Sequence, residues 1–219
     1  MLALALTTSG CLPFASRAPK PPPSPHDLAC IQHSSIDTWE HRLRGERYVG
    51  VTLAEHRTRV YLPRVRRRFR KAGLPQSLAL LPLVESDFQR TAVGHANERG
   101  LWQLRRATAR RFGLVVRARH DERLHPYRAT RAAARYLRYL HQRYRDWPLA
   151  IAAYNAGEHR VDDALQRHPH ATFWELAAAG ELAHTTRDFV PRFLAVVRIV
   201  DGTSVCHTAP RPSQMAATG

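Results

Sequence analysis

The sequence predicts a mainly α-helical domain. Three observations predict it: apolar residues recur at helical spacing through the middle of the chain, capping and terminating residues bracket the periodic segments, and strand alternation is scarce. The best segment runs over 131–144, with Thr130 as its candidate cap. Ala133, Tyr136, Leu137, Leu140 and Tyr144 fall on one face of it, while Arg131, Arg135, Arg138 and Arg145 fall largely elsewhere. Asp146 is positioned to cap the next helix, 149–156, with Pro148 in the first turn, where a missing N–H costs least. That helix is apolar nearly all round and is expected to be buried, and Gly157 terminates it. Further helices are expected over 158–167 and 186–200, the latter with Pro191 near its start or at a bend. Upstream, 37–45 and 53–71 read as helices.

Size and charge narrow the function classes. A chain of 219 residues, 44% hydrophobic and 24% charged, suits one globular domain with tails. Thirty-four Lys and Arg against 18 Asp and Glu give a net charge of +16, so the surface concentrates anions: nucleic acid, anionic lipid or an acidic polymer such as a cell wall. No run of about 18 apolar residues exists, which excludes a multi-pass membrane protein. Three cysteines are too few for a disulfide scaffold.

The chain ends carry an address. Residues 1–11, MLALALTTSGC, place an apolar run and then small residues before Cys11, the order of a bacterial lipoprotein signal, so Cys11 is the expected lipidation site. Residues 12–29 are proline-rich and read as an extended tether. The folded unit is expected over 30–206, with its catalytic core about 72–200, and 207–219 reads as a disordered tail. Cys30 and Cys206 stand at the two ends of the folded unit. They either pair, contributing ~4–5 kcal/mol in the chain-entropy model, or remain two thiols.

One stretch carries chemistry. Residues 74–88, L-P-Q-S-L-A-L-L-P-L-V-E-S-D-F, lead an apolar helical run directly into Glu85. On spacing alone Glu85 reads either as a helix-terminal Glu that contacts solvent or caps an N–H, or as a poorly hydrated carboxyl whose pKa rises and which can act as a general acid toward a leaving oxygen. G-L-W-Q at 100–103 sets Trp102 beside Gln103, an aromatic to stack on a pyranose and an amide to bond an N-acetyl group. D-E-R follows at 121–123, and A-Y-N-A-G at 153–157 ends the buried helix with Tyr154 and Asn155, polar groups that are costly there unless bonded or used. The basic run 64–71 reads either as a solvated helix face or as a surface for anions. No glycine-rich phosphate loop and no metal-ligand spacing occurs.

In this order and at these separations, the four motifs resemble the lytic transglycosylases of glycoside hydrolase family 23. The resemblance covers roughly 37–200 and implies a lysozyme-like helical fold, related to goose-type lysozyme, with a glycan-binding groove. It implies that Glu85 is the catalytic acid/base, that Gln103 and Trp102 bind the sugar, and that Tyr154 and Asn155 line the site. The implied reaction cleaves the β-1,4 bond between N-acetylmuramic acid and N-acetylglucosamine of peptidoglycan, leaving a 1,6-anhydro end, with no cofactor and no metal. A second carboxylate is not required, and Asp87, two residues on, points to another face of the helix. The implied setting is the periplasm, as a monomer held at the outer membrane by a lipid anchor. The sequence departs from the family pattern at Gly94, Asn97 and Glu98, where a serine and small residues are usual, and at His125, Thr185 and Phe189. Two other readings compete: a peptidoglycan-binding homologue with weakened catalysis, and a basic nucleic-acid-binding helical protein, for which no reader motif is present. Nucleic acid is not the expected partner.

Overall fold

In the computed structural model, residues 28–45, 51–202 and 206 are described, with the backbone alone described over 51–55. The leader with Cys11, most of the tether and the 207–219 tail lie outside the described residues.

The apolar helix expected at 149–156 is the centre of the molecule. It is α6 (Trp147–Ala156), buried at every position from Trp147 to Tyr154. Asp146 caps it, accepting the Leu149 N–H at 2.7 Å, and Gly157 ends it at φ 90°. Four helices surround it: α5 (Pro126–Tyr144), α7 (Glu158–Arg167), α8 (Phe173–Ala178) and α9 (His184–Asp201). Towards the N-terminus, α1 (Ser34–Gly45) packs along α9, and α2 (Val51–Lys71) packs on α5 and on a 3-10 turn, Gln76–Leu80. That turn runs into α3 (Leu81–Ser86), and α4 (Arg106–Arg111) lies against α5. The described sheet is one antiparallel pair, β1 (Val116–Arg117) with β2 (His120–Asp121). No helix among the described residues is long and apolar enough to cross a membrane.

Four expectations need correction. Helix α5 begins at Pro126 and not after Thr130: His125 is the cap, and proline is well placed in a first turn. The Thr130 hydroxyl bonds back to the Pro126 carbonyl instead, at 2.7 Å. Pro191 sits inside α9 and not near its start. The run toward Glu85 is a 3-10 turn followed by a six-residue helix, stopped by Asp87 and Phe88 at φ 49° and 56°. Leu28 and Ala29, assigned to the tether, are buried in the core.

The ends of the unit are clasped. Cys30 and Cys206 form a disulfide spanning 176 residues. Beside it, Arg198 donates to Asp37 Oδ1 at 2.6 Å and to the Ile31 carbonyl at 2.7 Å, tying α9 to the N-terminal segment.

Candidate active site

Glu85 is the penultimate residue of α3. The residue is half-buried, and its carboxyl is deep enough to be raised from 4.5 to about 8. Lost hydration is the main cause; the negative charge of Glu98 adds to it and the positive charge of Arg192 opposes it. At pH 7 this acid is mostly protonated. The neighbouring Ser86 hydroxyl locks its position by donating to the Leu101 carbonyl at 2.9 Å, which fastens α3 to the G-L-W-Q segment.

That segment is a hub of backbone acceptors. Tyr154 donates its phenol O–H to the Trp102 carbonyl at 2.7 Å, and the Gln103 amide donates to the Gly100 carbonyl at 2.8 Å. Gly100 has φ 76°, and a Cβ there would stand 2.1 Å from the Arg123 carbonyl oxygen, so only glycine fits. The Trp102 side chain differs from expectation. It is fully buried, stacked on Phe69 with ring centroids 5.5 Å apart, and its indole N–H donates to Thr130 at 3.0 Å. It offers no face to a sugar. Its role is to anchor the segment that carries Gln103, because a large ring with a single donor is most stable when buried with that donor satisfied.

The structure brings Glu85, Gln103, Tyr154 and Asn155 into one region. Burial first, and then the charge Glu85 carries once it ionises, hold the Tyr154 phenol well above its usual value, so it stays protonated. Asn155 is half-buried, and its Oδ1 accepts the Thr186 hydroxyl at 2.9 Å, which orients the amide so that its N–H₂ is directed away from Thr186. Asp87 lies past the end of α3 in the left-handed region, and its carbonyl accepts Arg57 Nε at 2.7 Å.

Two departures from the family pattern meet at one point. A Cβ on Gly94 would stand 2.7 Å from Gln103 Oε1 and 2.7 Å from Glu98 Oε2. Gly94 therefore makes room for both the amide and the Glu98 carboxylate. Burial alone would raise that carboxylate. Hydrogen bonds from its own backbone N–H, from Arg105 Nε at 3.0 Å and from the Ala96 N–H at 2.9 Å outweigh it and hold Glu98 below its usual value. The site thus sets a protonated acid near an ionised one.

Reading the sequence missed three supporting residues. Thr186, in the first turn of α9, reaches Asn155 across 31 residues of chain, and Arg192 acts on Glu85 from much farther along it; no local spacing could signal either. Arg123 of D-E-R is buried: it pairs with Asp121 through Nε at 2.9 Å and Nη2 at 2.7 Å, and its Nη1 donates to the Asn97 and Leu104 carbonyls at 2.8 and 3.1 Å. It braces the loop bearing Glu98 and Gln103 from beneath. Among the described residues, no group of three or more His, Cys, Asp or Glu converges to hold a metal ion.

The family model for the transglycosylase SLT domain matches residues 66–177, just over half of the chain. This chain belongs to the transglycosylase SLT family. Its match to membrane-bound lytic murein transglycosylase D of Escherichia coli (strain K12) is 35% identical over 164 residues, 72% of this chain and 35% of that protein. An Alteromonas sp. (strain M-1) protein named for tributyltin chloride resistance is 43% identical over 129 residues, 58% of this chain and 56% of that one. Among solved structures, lytic transglycosylase Slt from Pseudomonas aeruginosa, in its inactive E503Q form, superposes with a TM-score of 0.54 at 28% identity, covering 70% of this chain and 25% of that chain. The chain spans about a third of the length of the E. coli relative. The fold is the lysozyme-like SLT fold. Glu85, Gln103, Tyr154 and Asn155 lie inside the SLT match, whereas Thr186 and Arg192 lie beyond it.

Proposed function

We propose that this chain is a peptidoglycan lytic transglycosylase. The observation that carries the reading is a single carboxyl, Glu85, held protonated near neutral pH beside Tyr154, Asn155 and Gln103. Glu85 gives its proton to the glycosidic oxygen between N-acetylmuramic acid and N-acetylglucosamine, and the N-acetylglucosamine departs as an alcohol. The acetamido group of the substrate stabilises the cationic carbon. Glu85, now a carboxylate, takes the proton from the C6 hydroxyl, whose oxygen closes the 1,6-anhydro ring. One group acts as acid and then as base, and no water is consumed. Family membership and the names of the two lytic transglycosylases support the substrate class.

One observation favours a second reading. Glu98 is an ionised carboxylate near Glu85, the arrangement a hydrolase uses to activate water. Both its oxygens are already engaged, by Arg105 and by the Ala96 N–H, which favours a positioning role. Digestion of purified sacculi followed by mass spectrometry separates the two: anhydro-muropeptides from the wild type and none from Glu85→Gln are expected, and reducing-end products would establish hydrolysis.

The proposed setting is the periplasm, as a monomer anchored in the outer membrane through a lipid on Cys11, with 12–27 as the tether. The Cys30–Cys206 disulfide supports an oxidising compartment. Cys11→Ala is expected to move the protein from the membrane to the soluble fraction, and an unchanged distribution refutes the anchor.

A further inference from the structure

The basic run of α2 resolves into a pattern. Arg64, Arg67, Arg68 and Lys71 follow i, i+3, i+4, i+7 and share one helix face. That face meets Arg128 and Arg131 of α5 across a cleft of about 440 Å³. No carboxylate lines the cleft. Arg128 pairs with Glu122, but among the described residues no acid pairs with Arg67, Arg68, Lys71 or Arg131. By contrast Arg66, on another face of α2, is neutralised by Asp201.

Two electrostatic costs are built in here. Six cations repel one another across a small gap. The first turn of α5 also carries Arg128 and no acid, although the positive end of a 19-residue helix dipole lies there. An anion in the cleft relieves both. The lining also bears on the kind of anion. The cations are donors only. Of the two remaining polar groups, the Tyr127 hydroxyl accepts from Arg64, and the Thr130 hydroxyl accepts the Trp102 indole and donates to Pro126. A ligand seated here meets side-chain donors on every side and no carboxylate. A neutral sugar gives the cations no charge to pair with; a carboxylate brings one, while a phosphate group brings up to two with three acceptor oxygens that match the guanidinium fork, the better match to six clustered cations.

We propose that the α2–α5 cleft is a binding site for phosphate-bearing anions, separate from the Glu85 site and divided from it by the buried Trp102. The probes are pyrophosphate, vesicles of phosphatidylcholine with about one-fifth phosphatidylglycerol, and poly-glutamate, each titrated into the full chain at physiological salt. A cleft variant, R67Q/R68Q/R131Q, is compared with R117Q/R119Q/R160Q, which removes the same charge from exposed sites elsewhere; circular dichroism confirms that both fold. Losing three charge-assisted contacts is expected to weaken pyrophosphate binding at least about 30-fold in the cleft variant and less than about 3-fold in the control. Vesicle binding that falls in parallel identifies a lipid headgroup as one source of the phosphate; vesicle binding unaffected by the cleft variant alongside the pyrophosphate loss identifies soluble phosphate ligands. Equal weakening by both variants, no pyrophosphate binding by the wild type, or an equal cleft-dependent affinity for poly-glutamate overturns the proposal.

Discussion

The Glu85 carboxyl makes a prediction about folding that needs no substrate. Its value of about 8 in the folded chain stands against 4.5 when exposed. Between those two limits the folded protein keeps a proton that the unfolded chain has released, so stability falls as pH rises. At about 1.4 kcal/mol per pH unit, the penalty accumulated from pH 5 to pH 8 is about 3 to 4 kcal/mol. Glu85→Gln keeps the shape and cannot ionise, so it escapes the penalty. The assay is guanidinium unfolding of both proteins at several pH values from 5 to 8.5, with the difference in unfolding free energy plotted against pH. All other titrating groups are shared and largely cancel. The variant is expected to gain on the wild type steadily across this window and to level off above about 8. A difference curve flat with pH would mean that Glu85 ionises as an ordinary surface acid, and its assignment as the proton donor would fall with it. The same value places the alkaline limb of the wild-type rate profile near 8.

Gly94→Ser puts a side chain into the space of Gln103 Oε1 and Glu98 Oε2, so murein cleavage is expected to fall about tenfold; adding Glu98→Ala should recover part of it, with a coupling of about 1 kcal/mol in a double-mutant cycle, and strict additivity refutes the shared pocket. Glu98→Ala alone removes a like charge from Glu85, so the alkaline limb moves to lower pH; an unmoved limb shows that burial acts alone. Tyr154→Phe leaves the buried Trp102 carbonyl without its donor and is expected to cost about 1–3 kcal/mol, read as a lower guanidinium midpoint at unchanged slope. Replacing Cys30 and Cys206 by Ser opens the 176-residue span and should lower stability by up to about 5 kcal/mol, matched by reducing the wild type; equal stability of oxidised and reduced protein contradicts this.

Much of the helical frame was legible because long helices announce themselves by period and caps. The Asp146 cap, the nearly all-apolar α6 and the Gly157 stop were all read from local residues and stand in the structure. What local reading misplaced were elements decided by tertiary partners. Thr130 has the chemistry of a cap, yet its hydroxyl is claimed by the Trp102 indole and the Pro126 carbonyl, and Pro126 starts the helix a turn earlier. Helices α4 and α8, six residues each, are too short to show a period.

The site divides the same way. The apolar run before Glu85 signals poor hydration, and burial does raise its carboxyl, but spacing alone fits a solvent-facing helix end equally and the motif order is what singled it out. Trp102 was misread because an aromatic beside an amide looks the same in sequence whether its ring faces a sugar or the core. The positions of Phe69, 33 residues upstream, and Thr130, 28 downstream, decide the matter. Gly94 and Glu98 show the converse. Read singly, each is a defect in a familiar motif, a lost hydroxyl and an intrusive charge. Placed in space they form one arrangement, since the missing side chain is the room that the carboxylate occupies. A chain carrying either change alone would have a hole or a clash near the Glu85 carboxyl. Together the two changes leave the acid buried, add a fixed negative charge near it, and raise the pH at which it can still give up its proton.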